Sequence, residues 1–155
     1  MNVKRIFIAS SAELKDERME LVDLILDLNH VLEASSIELE PVPWEHMDSS
    51  MREGRKEDEY LAELRKCEIC LVLFWKTLGE YTVEELDVAL TEMNNGRLPK
   101  QIYVMFKEPS NGISDELKTF KESFKLKYAN VPTLNFEDDK SLRNQVEEIF
   151  MRFSK

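Results

Sequence analysis

The chain has 155 residues, 43% of them hydrophobic, and a formal charge of −10, which describes one ordinary domain, residues 1–155, able to bury roughly two-thirds of its unfolded surface. Acids and bases are mixed along it with acids in excess, which argues against a nucleic-acid backbone as partner. Two cysteines argue against a disulfide-stapled secreted domain, and with no apolar run of ~18 residues and no amino-terminal signal pattern a soluble, cytoplasmic protein is expected.

Taken in order, Lys4–Ala9 is expected as the first strand, and Ser10-Ser11-Ala12-Glu13 has the form of a capping box that opens a long helix. In that helix Leu14, Leu21, Val22, Ile25 and Leu28 recur at helical spacing, with Glu13, Asp16, Glu17, Glu20, Asp23 and Asp27 mostly on the other faces. Ile37–Trp44 alternates at its start and carries Pro41 and Pro43, the mark of an edge strand. Glu45–Glu59 is the most polar stretch and reads as a mobile surface loop. A short helix from about Glu57 to Lys66 follows, with Tyr60, Leu61 and Leu64 inward.

Leu71–Trp75 is an apolar run without polar alternation, as in a strand covered on both faces by helices. The loop Lys76–Tyr81 carries Gly79, and Thr82-Val83-Glu84-Glu85 fits a second capping box, opening a helix that runs to about Asn94. Asn95-Gly96-Arg97-Leu98-Pro99 is an end-of-helix signal followed by a breaker. Gln101–Phe106 is then a fourth strand, Ser114–Tyr128 a fourth helix, Thr133–Phe136 a fifth strand and Ser141–Phe153 a closing helix. This alternation implies an α/β fold, a flavodoxin-like three-layer sandwich with a five-stranded parallel sheet and helices on both faces. Right-handed crossovers and the prolines of the second strand favour the order 2-1-3-4-5, with the reversal between the first and third strands.

Ligands of such sheets bind outside the carboxyl ends of the strands, where the order reverses. The loops Ser10–Ala12 and Trp75–Tyr81 are therefore expected to flank one crevice, rimmed by Glu45–Glu59. Neither GxxxxGK[ST] nor GxGxxG is present, which excludes a glycine-rich phosphate cradle. Ser10, Ser11, Trp75 and Lys76 stand where a phosphoacceptor domain needs acids, which excludes that class too. Cys67-Glu68-Ile69-Cys70 is a single CxxC with His30 and His46 far away in sequence, so no metal site is expected and the thiols read as buried structure. The histidines have no strand-end or elbow context for a Ser-His-Asp triad, and His30 reads as a helix-end residue.

A carboxylate beside aromatics and hydroxyls remains. Glu85 lies one turn into the helix after the central strand, with the small Ala89 four residues later on the same face. Two readings stand side by side: Glu85 faces the crevice floor, or it caps its own helix by bonding back to Thr82. Glu84 points about 100° away. Trp44 and Trp75, at strand ends, are suited either to stack on a planar base or to fill the core.

The segments Lys4–Arg18, Pro43-Trp44-Glu45, Cys67–Phe74 and Gly79–Ala89 resemble the bacterial TIR-like domains, a branch with a strand, Ser-Ser, helix, Glu-Arg start that often precedes signalling modules in defence proteins. More distantly, the Glu85 and Ala89 spacing is similar to that of nucleoside 2-deoxyribosyltransferases. The resemblance covers nearly the whole chain in element order. In catalytic TIR domains the helix after the third strand carries a glutamate in a Glu-Leu or Glu-Ile pair, which Glu85-Leu86 matches. It therefore implies cleavage of the nicotinamide–ribose bond of NAD, taken as substrate and not as cofactor, with Glu85 stabilising an oxocarbenium-like transition state.

By the same resemblance Ser10 and Ser11 line the nucleotide side, Trp75 or Trp44 stacks on the base, and the Glu45–Glu59 loop mediates self-association. Tyr81-Thr82 stands where animal and plant TIR domains carry Trp-Cys, which makes Tyr81 a further substrate-side candidate. A fused or partner signalling module is implied as well. Two alternatives stay open: a scaffolding TIR-like module without catalysis, and a deoxyribosyltransferase-like enzyme with Glu85 as nucleophile.

Overall fold

A computed structural model of the chain describes residues 2–43, 57–108 and 114–154. The strands are β1 (Asn2–Ser10), β2 (Ile37–Pro43), β3 (Ile69–Phe74), β4 (Gln101–Lys107) and β5 (Thr133–Phe136). They pair in parallel in the order β2-β1-β3-β4-β5. The helices are α1 (Lys15–Leu32), α2 (Glu57–Leu64), α3 (Glu80–Asn94), α4 (Asp115–Lys127) and α5 (Asp139–Met151). This is a flavodoxin-like α/β sandwich, and its chain order reverses between β1 and β3 as the alternation of elements implied.

The period-2 alternation of each strand divides the core in two. On one face Ile6, Ile8, Leu71, Leu73 and Met105 pack under Leu21 and Ile25 of α1 and Val146 and Phe150 of α5. On the other, Phe7, Ala9, Cys70, Val72, Phe74 and Val104 pack under Leu61 and Leu64 of α2, Leu86 and Ala89 of α3, and Phe124 of α4. All six residues of β3 are buried, which is why that strand shows no polar position. Each large apolar side chain so buried contributes roughly 1.5–3 kcal/mol relative to exposure. β2 lies at the sheet edge, where Pro41 and Pro43 can sit without a ladder N–H.

Both N-terminal capping boxes expected near the sheet's switch point fail to form. Between β1 and α1 the chain makes a 3-10 turn, Ala12–Leu14, closed by the Leu14 N–H donating to the Ser11 carbonyl at 3.1 Å, and α1 begins only at Lys15 without a side-chain cap. Helix α3 begins at Glu80, two residues earlier than expected, because the extended backbone of Gly79 (φ −65°, ψ 124°) serves as its N-cap. Capping at the far end of the chain does use side chains. Ser114 accepts from the Leu117 N–H at 3.1 Å, and Asp138 and Ser141 form a reciprocal capping box that starts α5. Helix α3 ends as its sequence signal implied, with Gly96 at φ 75° and the Arg97 N–H returning to the Glu92 carbonyl at 2.9 Å.

Glu17, placed by its neighbours on an outer face of α1, is instead buried. Trp44 and residues 45–56, the main part of the proposed rim and self-association loop, lie outside the described residues. Among the described residues no helix is long and apolar enough to cross a membrane.

Candidate active site

β1 ends at Ser10 and β3 at Phe74, side by side in the sheet, with Ser10 in register with Leu73. Helix α3 leaves this edge across the α2–α4 face of the sheet. Its buried residues Thr82, Glu85, Leu86, Ala89 and Leu90 form one stripe at helical spacing, so Glu85 belongs to the side that meets the strands. Because the helix starts at Glu80, Glu85 stands in the second turn, beyond the reach of a cap. Its residue is 9% exposed. The Cys70 thiol on β3 is pushed well above its ordinary range, first by burial and then by the negative charge of Glu85, which sets that carboxylate within electrostatic reach of the central strand.

Ser11 and the turn before α3 close on each other at the start of the helix that carries Glu85. A Cβ on Gly79 would stand 3.3 Å from the Ser11 Cβ and 3.1 Å from the Thr82 Oγ1, so glycine here serves close approach and not an unusual backbone angle. The Ser11 Oγ is sealed from solvent and has no hydrogen-bond partner among the described residues. A buried hydroxyl in that state retains an unused donor and acceptor.

The opposite face of the same edge is built differently. Arg18 is fully buried in the apolar stripe of α1 and donates from Nη1 to the Ser10 Oγ at 2.5 Å and to the Ser11 carbonyl at 2.7 Å. Glu17, 5% exposed, accepts from the Lys107 Nζ at 2.5 Å. Trp75 packs against the α1–α5 core, with the ammonium groups of Lys107 and Lys76 over its ring at 4.2 and 4.4 Å from the centroid. Its Nε1 is buried without a hydrogen-bond partner among the described residues.

The structure thus brings Ser11 close to the start of α3, and it assigns Trp75 and the Ser10 hydroxyl to the face away from Glu85. Tyr81 lies in the first turn of α3, 44% exposed. The sequence suggests only capping roles for Thr82 and Glu13 and an outer face for Glu17, and gives Arg18 and Lys107 no role of their own. For Arg18 a signal existed: it interrupts the series Leu14, Leu21, Ile25, Leu28 at an inward position, and a lone cation in an apolar stripe needs buried acceptors. For Glu17 and Lys107, 90 residues apart, no local signal existed.

The remaining clusters are structural. Cys67 and Cys70 are free and buried, and burial raises the Cys67 thiol from 9.0 to about 12 against the opposing pull of Arg5. Among the described residues no three His, Cys, Asp or Glu side chains converge as metal ligands. A groove of about 380 Å³ runs along α3 beside the end of α2, lined in part by Arg65, Glu84, Asp87 and Glu92, and does not include Glu85. Glu92 there is held by Arg97 through bonds of 2.8 and 3.1 Å, which lower its pKa.

No protein-family model matches this chain, and a comparison with curated proteins returns no significant relative.

Proposed function

We propose that this chain is a TIR-like domain that hydrolyses the nicotinamide–ribose bond of NAD, with Glu85 as its catalytic carboxylate. The observation that carries the reading is the position of Glu85: a buried acid on the sheet side of the helix that follows the central strand, at the reversal of strand order, in a turn where it cannot cap that helix. Ser11, whose backbone turn closes on Gly79 and Thr82, stands at the same edge, and its hydroxyl has no partner among the described residues.

The chemistry asks little more of the protein. Nicotinamide in NAD carries a positive charge, so the C1′–N bond breaks with its electron pair going to the ring nitrogen, and the base departs neutral without a general acid. Positive charge then grows on the sugar, where a carboxylate fixed in a poorly hydrated site lowers its energy. Water adds to C1′ and loses a proton to solvent, leaving ADP-ribose. Self-association through residues 45–59 completes or stabilises the active form.

Incubation of the purified protein at rising concentration with NAD, and separately with 2′-deoxynucleosides plus an acceptor base, tests the reading. Nicotinamide release from NAD that rises more than linearly with protein concentration is expected. Base exchange on deoxynucleosides would instead assign a deoxyribosyl transfer with Glu85 as nucleophile, and inertness toward both across the full concentration range would leave a scaffolding domain.

A further inference from the structure

The loop between β3 and α3 is held by an acid from the far side of the switch point. One oxygen of Glu13 accepts from the backbone N–H groups of Lys76 at 3.0 Å and Thr77 at 3.2 Å, and from the Thr77 hydroxyl at 3.3 Å. The Lys76 carbonyl accepts in turn from the Ser114 N–H at 2.9 Å, so this peptide is gripped from both sides. Two residues on, Gly79 abuts Ser11 and Thr82 and starts the helix that carries Glu85. Glu13 is half-buried as a residue, its bonds to the loop lie at the surface, and as charge-assisted bonds they are stronger than a neutral acceptor would form. Successive backbone N–H groups directed at one anion form a nest, here filled by the chain's own side chain.

We infer that Glu13 is a positioning residue: it fixes the Trp75–Gly79 loop, and through it the start of α3 and the placement of Glu85 relative to Ser11. The inference rests on the reaction proposed above and adds to it a residue that never touches substrate. Displacing a reacting group by an ångström costs on the order of 10²-fold in rate, and releasing one end of a five-residue loop allows a fraction of that.

Amide hydrogen exchange and steady-state kinetics on Glu13→Ala and Glu13→Gln test it together. In Glu13→Ala the Lys76 and Thr77 amides exchange about tenfold faster, the loss of one charge-assisted bond, while amides in the middle of β3 keep their protection. Nicotinamide release falls by about tenfold in kcat with KM little changed. Glu13→Gln retains an acceptor oxygen and recovers most of both. Unchanged exchange at Lys76 and Thr77 in Glu13→Ala, or faster exchange with an unaltered kcat, overturns the inference while the reaction stands. A wild-type protein that releases no nicotinamide overturns the reaction and the catalytic part of the inference with it.

Discussion

Two glutamates are buried at the same edge of the sheet, one on each face, and they sit in different company. Glu17, on the α1 side, is matched by the Lys107 ammonium, which itself lies over the Trp75 ring, and Arg18 beside it is committed to Ser10 and Ser11. Glu85, on the α3 side, shares its buried stripe with Thr82 and the small Ala89. Burial of an acid is therefore not itself a mark of function in this protein. A carboxylate paired with a lysine from another element is a fastening, and it is the position of Glu85, on the sheet side of α3 near the switch point, that carries the functional proposal.

The comparison breaks if the Glu17 pair proves dispensable to the fold. Lys107→Met leaves the Glu17 charge buried without its lysine, and a loss of about 2 kcal/mol is expected, below the roughly 3–5 kcal/mol for breaking a fully buried pair because both partners keep some contact with water. For a chain of this length that lowers the thermal midpoint by roughly 4–8 °C. The double variant Glu17→Leu/Lys107→Met, which removes both charges, should unfold closer to the wild type. A midpoint that does not move in the single variant would show that the pair fastens nothing.

A smaller effect sharpens the α3 side. The Cys67 thiol has its pKa raised to about 12 in the folded protein, against 9.0 when solvated, so below pH 9 the folded and unfolded chains both hold this proton. As pH rises from 9 toward 12 the unfolded chain loses it while the folded chain keeps it, and stability declines across that window. Cys70, raised in the same direction, adds to the decline. Urea unfolding from pH 8 to pH 11 should show a shallower loss in Cys67→Ala than in the wild type. Identical slopes would contradict the burial of that thiol.

The sheet was legible in the sequence because its signals are local: the uninterrupted run Leu71–Phe74, the inward series of α1, and the two prolines that send β2 to the edge. Glu85 was legible as an acid on the helix after the central strand, but its turn of that helix was not. The Thr82–Glu85 spacing imitates a capping box, and only the extended backbone of Gly79 moves the start of α3 back by two residues and changes what Glu85 can reach. Glu13 shows the same confusion in reverse. Its spacing from Ser10 suggested a cap, yet the carboxylate binds amides 63 and 64 residues away, a choice that depends on β1 and β3 being neighbours. Ion pairs between distant elements, such as Glu17 with Lys107, follow from the assembled topology and leave no trace in any short window.

The most direct test of the proposal is nicotinamide release from NAD by concentrated wild-type protein and by Glu85→Gln, which keeps the shape of the side chain and removes its charge. Release by the wild type and a loss of at least about 100-fold in the variant, with the thermal midpoint nearly unchanged, is the expected result. Release at the same rate from Glu85→Gln would contradict the role given to this carboxylate.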